Sequence, residues 1–156
     1  SLKNVVTLTG EFSKLINARE NSILQALKLF ENGLTDRFSI NLEKNLPIGA
    51  GLGGGSADAA AIIRFVTTHH NKRVPSLELI SKVGADIPAC LYSRALRMQG
   101  IGENISKIDI SRVGLWVVLV NPNIYVSTKS IFSDLIKKQN QKHILSKTTT
   151  KNNQTQ

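Results

Sequence analysis

Positions 47–56 read Pro-Ile-Gly-Ala-Gly-Leu-Gly-Gly-Gly-Ser, with five glycines (Gly49, Gly51, Gly53, Gly54, Gly55) in seven positions. Glycine is costly to order, so this density suits a backbone that must curl tightly or approach a ligand closely. Ala57, Ala59 and Ala60 follow, and an Ala-rich helix is predicted from Ser56 to about Thr68. The first-turn N–H groups of a helix lack intrahelical acceptors, and its dipole places partial positive charge there. A glycine loop opening into a helix is therefore a site for an anion, phosphate above all. Ser56 adds a hydroxyl at the mouth, able to bond phosphate or a metal-bound water. Asp58 conflicts with this chemistry, since a carboxylate in the first turns repels phosphate. It is expected to point away or to pair with a cation.

Three readings of the loop compete. A tight strand-to-helix turn would need only two glycines. The pattern Gly49-Ala50-Gly51-Leu52-Gly53-Gly54 fits the dinucleotide fingerprint G-x-G-x-x-G, a weak signal alone. That fingerprint wants an acid about 20 residues on for the ribose, where this chain has His69, His70, Asn71, Lys72 and Arg73. A P-loop is excluded, because no Gly-Lys-Ser/Thr follows the glycines. A glycine-rich loop of a different kinase class fits best.

A second candidate is Asp86, which follows Gly84 and precedes Pro88. An aspartate near a turn is usually structural. A rigidly presented carboxylate within reach of a hydroxyl can also take its proton.

The elements that must hold these residues are legible in outline. Residues 5–8 read as a strand or its remnant. Ser22 reads as a helix N-cap; Ile23, Leu24, Leu27 and Phe30 recur at helical spacing, and Gly33 stands where a C-terminal glycine belongs. Phe38, Ile40 and Leu42 alternate with polar residues, as in a half-buried strand. Residues 76–83 read as a short helix capped by Ser76 and ended by Gly84. Strands are expected over 95–98 and 104–108, around the turn Gly100-Ile101-Gly102-Glu103. The apolar run 115–120 reads as the best buried strand, with Trp116 in the core and Asn121-Pro122-Asn123 as its stop. A last helix is expected over 130–138. Helices and strands without strict βαβ alternation indicate an α+β fold.

Composition narrows the class. The chain has 156 residues, 41% of them apolar, enough for a packed core in one domain or parts of two. No apolar run reaches the length of a membrane span, no signal peptide opens the sequence, and one cysteine rules out an internal disulfide. A cytoplasmic protein fits. Net charge is +9, but residues 137–156 hold five lysines and no acid, leaving 15 basic and 11 acidic residues elsewhere. That modest excess suits an anionic substrate such as a nucleotide. The Lys-, Thr-, Asn- and Gln-rich end reads as a solvated tail rather than a nucleic-acid arm. His69, His70 and His143 offer no metal-ligand spacing, Cys90 reads as a small apolar residue, and Arg94, Arg97 and Arg112 as solvated surface.

The segment Pro47-x-x-x-Gly51-Leu52-Gly53-Gly54-Gly55-Ser56-Ala57 resembles the second motif of the GHMP small-molecule kinases, which include galactokinase, homoserine kinase and mevalonate kinase. Lys44-Asn45-Leu46-Pro47 is similar to the entry to that loop. Val83-Gly84-Ala85-Asp86-Ile87-Pro88 is similar to a catalytic-aspartate motif, and Gly100-Ile101-Gly102-Glu103 to the turn that follows it. Asn121-Pro122, Val126-Ser127-Thr128 and Phe132 resemble a substrate-side segment. The resemblance runs from about Asn21 to Phe132.

It implies an N-terminal domain of the ribosomal protein S5 domain 2-like type over residues 1–110, lacking its first strands. Residues 111–138 would begin a ferredoxin-like C-terminal domain, and 139–156 would form a disordered polar tail. It also implies transfer of the ATP γ-phosphoryl group to an alcohol, with Mg²⁺. The triple glycine and Ser56-Ala57-Asp58-Ala59-Ala60 are most similar to the branch acting on a cytidine diphosphate-linked methylerythritol, in non-mevalonate isoprenoid biosynthesis, at its 2-hydroxyl. By this pattern Asp86 is the base. Pro47, Gly49, Gly51, Leu52, Gly53, Gly54, Gly55 and Ser56 hold the ATP phosphates, and Lys44 lies beside the nucleotide. Thr128 and Phe132 lie near the cytidine end. The family's opening Pro-Ala-Lys-Ile-Asn strand, whose lysine partners the catalytic aspartate, has no counterpart here, nor do its cytidine-holding His and Tyr. The chain is thus expected to be incomplete. The alternatives are an inactive nucleotide-binding remnant, or another GHMP kinase such as homoserine kinase.

Overall fold

The computed structural model describes residues 3–17, 21–108, 114, 116–120 and 133–134. The chain divides into two compact units, Ser1–Tyr125 and Val126–Gln156; in the second only Ser133 and Asp134 are described, both helical.

In the first unit β1 (Val5–Thr9) pairs in parallel with β2 (Ser39–Glu43), Val5 opposite Ser39 and Thr9 opposite Glu43. The connection carries a single 3-10 turn at Ser13–Leu15 and helix α1 (Ser22–Lys28). After β2 come the glycine loop and α2 (Gly54–His69), then α3 (Leu77–Val83) and α4 (Ile87–Tyr92). An antiparallel ribbon follows, β3 (Leu96–Gln99) with β4 (Asn104–Lys107). This is the α+β content expected. The alternation in residues 38–42 is the exposed–half-buried rhythm of β2, and Ile40 and Phe38 pack on the core from its inner face.

The core lies between helices. Ile23, Ala26, Leu27 and Phe30 present one stripe of α1 and its following turn, and Ala59, Ala60, Ile63 and Val66 one stripe of α2. Ala26, Ala59 and Ala60 are fully buried; their small side chains let α1 and α2 approach closely. Ile80 and Ile87 close the cluster from α3 and α4. Ile63 is fully buried at the centre of this cluster, so Ile63→Ala should destabilise the chain by about 2–5 kcal/mol, read as a lower urea midpoint. At the far end of α2, His70 Nδ1 lies 2.9 Å from Asp36 Oδ2, and its ring meets Phe38 edge-on.

Several expectations shift. The cap of α1 is Asn21, whose Oδ1 accepts from Leu24 N at 3.0 Å; Ser22 is the first helical residue instead, and its hydroxyl donates to Gly55 O at 2.7 Å. The two neighbours are both good capping types, and the tertiary bond to Gly55 decides between them. Helix α4 had no periodic signal in its six residues, and arises from the turn after Gly84, with Pro88 in its first turn. The run 116–120 is not a buried strand. Residues 116–120 carry no regular structure, and Trp116 is fully exposed at 102% rather than in the core. Apolar residues become a strand only when another strand takes their N–H and C=O groups, and none of the four described strands pairs with this run. Leu115 and nearly all of the expected helix 130–138 lie outside the described residues.

Candidate nucleotide site

The glycine loop enters from β2 and leaves as α2. Gly49, Gly51 and Gly53 have φ of +73°, +71° and +69°, while Ala50 and Leu52 between them stay at negative φ. Alternating handedness turns successive N–H groups toward a common side and makes an anion-binding concavity. Gly53 is the left-handed residue before α2 and offers no side-chain cap. The first intrahelical bond runs from Ala57 N to Gly53 O at 2.9 Å, so Gly54, Gly55 and Ser56 are the first-turn residues whose N–H groups have no intrahelical acceptor. Among the described residues no side chain caps them. Pro47 begins the loop half-buried, and Gly49, Gly51 and Leu52 are exposed along its rim.

Lys44 follows β2 directly. Its N–H donates to Thr9 O at 2.8 Å and its carbonyl accepts from Phe12 N at 3.0 Å, which fixes its backbone from both sides. The side chain is drawn inward until the residue is 9% exposed. Its Nζ lies 2.7 Å from Asp58 Oδ2 and 3.7 Å from the point where a Cβ on Gly54 would stand. Of the two outcomes foreseen for Asp58, the structure shows the ion pair. Sequence spacing could have suggested the geometry, because Asp58 lies four residues after Gly54 and so on the same face of α2; it could not have named the partner.

The Asp86 segment comes to the same helix end. A Cβ on Gly84 would stand 3.7 Å from Ser56 Oγ, and α4 packs against α2. Arg64 of α2 donates to the carbonyl of Cys90 at 2.9 Å and ties the two helices. Asp86 occupies the position before α4 at φ −87° and ψ −11°, its carboxylate making no capping bond. It is exposed. Burial pushes the Cys90 thiol above its ordinary value, and the neighbouring Asp86 carboxylate adds to the rise while Arg64 opposes it. The segment is propped from behind. Gly102, in the β3–β4 turn, has φ +106° and is buried against Ala85, whose carbonyl oxygen occupies the place a Cβ would need. Glu103 fastens that turn by accepting from Ile101 N at 2.7 Å.

The loop, Ser56, Lys44 and the Asp86 segment are therefore brought to one end of α2. Thr128 and Phe132 lie outside the described residues. Among the described residues no group of three or more His, Cys, Asp or Glu could hold a metal ion, and no helix is long and apolar enough to cross a membrane.

Residues 21–94 match the family model of the GHMP kinases N terminal domain. The similarity is to the GHMP kinases. The chain is similar to 4-diphosphocytidyl-2-C-methyl-D-erythritol kinase of Ruegeria pomeroyi, 42% identical over 123 residues that cover 78% of this chain and 42% of the relative. The enzyme of the same name from Cereibacter sphaeroides is 36% identical over 136 residues, 86% of this chain and 48% of the relative. Among solved structures, a 4-(cytidine 5'-diphospho)-2C-methyl-D-erythritol kinase superposes with a TM-score of 0.53 at 32% identity, covering 69% of this chain and 39% of that one. The chain spans less than half the length of these relatives.

Proposed function

We propose that this chain carries the nucleotide-binding loop and the catalytic aspartate of a kinase that phosphorylates the 2-hydroxyl of 4-diphosphocytidyl-2-C-methyl-D-erythritol with ATP. The observation that carries the reading is the convergence at the start of α2: three left-handed glycines, the buried Lys44 ammonium, and the Asp86 segment beside Ser56. The names of the relatives supply the acceptor.

The chemistry follows from positioning and charge neutralisation, which dominate phosphoryl transfer. The N–H groups of the loop and of Gly54, Gly55 and Ser56 bind the β- and γ-phosphates, with Lys44 supplying a cation at the same place. The substrate hydroxyl oxygen bonds to the γ-phosphorus as the β–γ bridging P–O bond breaks and ADP departs. Its proton passes to the Asp86 carboxylate, which no cap engages. Mg²⁺, when bound with the nucleotide, neutralises the phosphate charge. Such an ion would arrive on the phosphates, and the Ser56 hydroxyl would supply a hydrogen-bond partner to a water on it. Residues 1–110 are proposed as the nucleotide domain and 111–138 as the start of a ferredoxin-like domain, with Thr128 and Phe132 at the cytidine end. A cytoplasmic small-molecule enzyme is the corresponding cellular reading.

One observation favours a second reading, nucleotide binding without transfer. Asp86 stands exposed with no cationic partner among the described residues. A transfer assay separates the two readings. The chain is offered the cytidine diphosphate-linked acceptor and, separately, homoserine. Asp86→Asn should keep Mg-ATP affinity and lower transfer by about 100-fold or more. Transfer at an unchanged rate removes Asp86 as the base, and transfer to homoserine alone overturns the acceptor. Nucleotide binding with no transfer from the wild type favours the second reading.

A further inference from the structure

We infer that Asp58 is a positioning residue, holding the Lys44 ammonium at the mouth of the glycine loop so that its free donors face the phosphate chain of the nucleotide. The inference rests on the nucleotide reading above.

Lys44 is in an electrostatically unfavourable place. Its side chain is 11% exposed, and a buried charge costs free energy unless it is paired. It also stands at the start of α2, where the helix dipole is positive and a cation is repelled. The backbone gives it no alternative. Thr9 and Phe12 clamp Lys44, and Gly10 is packed so closely that a Cβ there would stand 2.7 Å from the Lys44 N and O atoms. Asp58, one turn into the same helix, offsets both penalties through the 2.7 Å contact with Nζ.

An ammonium has three donors. One goes to Asp58, and no other acceptor for Lys44 exists among the described residues. The remaining two are on an Nζ that lies 3.7 Å from where a Cβ on Gly54, the first residue of α2, would stand. A carboxylate inside an anion site weakens it unless it acts on something else. Here its charge is spent on Lys44, and the direction it imposes on Nζ is what the phosphate would use. A merely structural staple between the end of β2 and α2 would support folding without affecting the ligand.

The test compares wild type, Asp58→Asn, Asp58→Glu, Lys44→Met and the Lys44→Met/Asp58→Asn pair. Mg-ATP affinity is measured with a fluorescent ATP analogue, and acylation of Lys44 by an N-hydroxysuccinimide ester is followed by peptide mass spectrometry without nucleotide. Asp58→Asn should weaken binding roughly tenfold, as expected for losing a hydrogen bond to a charged group, and should raise Lys44 acylation severalfold. Asp58→Glu should recover most of the affinity, and Asp58→Asn should add nothing in the Lys44→Met background. Unchanged or tighter binding in Asp58→Asn overturns the inference and leaves the nucleotide reading standing, as does an additive loss in the double variant. If the wild type binds no nucleotide, the nucleotide reading itself fails and the positioning role at a phosphate fails with it; the acylation rates then report only whether Asp58 restrains Lys44. Should Asp58→Asn not unfold cooperatively, the glutamate and Lys44→Met variants decide by the same criteria.

Discussion

Gly54→Val should abolish Mg-ATP binding while leaving the chain folded. Gly54 is the first residue of α2. A Cβ there meets Leu46 Cδ1 at 3.4 Å and Lys44 Nζ at 3.7 Å, ordinary van der Waals contact that the flexible side chains can accommodate. Valine and glycine also differ little in helix propensity, by a few tenths of a kcal/mol. The stability change should therefore stay within about 1 kcal/mol. The two γ-carbons of valine are different. They extend beyond a Cβ that already stands 3.7 Å from Lys44 Nζ, and are expected to enter the space where the phosphates are proposed to sit. Backbone donors act only at contact distance, so a methyl group in front of them removes several charge-assisted bonds together. A loss of at least about 100-fold in affinity is expected, or about 2.7 kcal/mol. Calorimetric titration reads it directly. In thermal unfolding, ligand at about 100 times its dissociation constant stabilises the wild type by about 2.7 kcal/mol, and this gain should vanish in the variant. Unchanged affinity would remove the loop from the mechanism.

The second large effect is expected at Gly102, in the β3–β4 turn. Its φ of +106° is a conformation that L residues rarely adopt, costing of order 1–3 kcal/mol for a residue with a Cβ. The added Cβ of Gly102→Ala would also fall on the carbonyl oxygen of Ala85, a backbone atom that cannot swing aside. The β3–β4 turn must lift from the Asp86 segment, or that segment must move. The total is expected at about 3–5 kcal/mol, comparable with the whole stability of a small domain. Urea unfolding should show a much lower midpoint, and hydrogen exchange should show Leu96–Gln99 and Asn104–Lys107 losing protection first. Gly114→Ala is the control, because a Cβ at Gly114 meets nothing within 4 Å. Equal stability of the two variants would mean that the turn does not bear on Ala85 in solution. A folded Gly102→Ala chain that binds Mg-ATP but transfers poorly would show that the turn positions Asp86.

Local signals carried a large part of the fold. The stripes of α1 and α2, the Ser76 cap of α3 and the alternation in β2 depend on neighbours within a turn or a pleat, so they can be read along the chain. The same holds for the loop, because glycine density reports a backbone requirement at those positions, and Gly49, Gly51 and Gly53 do take left-handed conformations. The motif order led to the family resemblance, since Pro47 to Ala57 and Val83 to Pro88 are long enough to be specific.

What the tertiary structure alone decided are relations between distant residues. The parallel pairing of β1 with β2 has no local marker. Asp58 found its cation 14 positions earlier in sequence, and only the burial of Lys44 shows why the acid is tolerated in an anion site. Ser22 exchanged its expected capping role for a bond to Gly55 O, 33 positions away. Gly102 owes its identity to Ala85. In residues 116–120 apolar character alone did not make a strand, because burial needs a partner surface and a strand needs an adjacent backbone; among the described residues neither is offered. Residue types and spacing determined which chemistry this chain could hold, since anion binding at a glycine loop is a property of consecutive backbone N–H groups. The fold determined which charged side chains reach that loop, because charge acts through distance in space and burial rather than through separation along the chain.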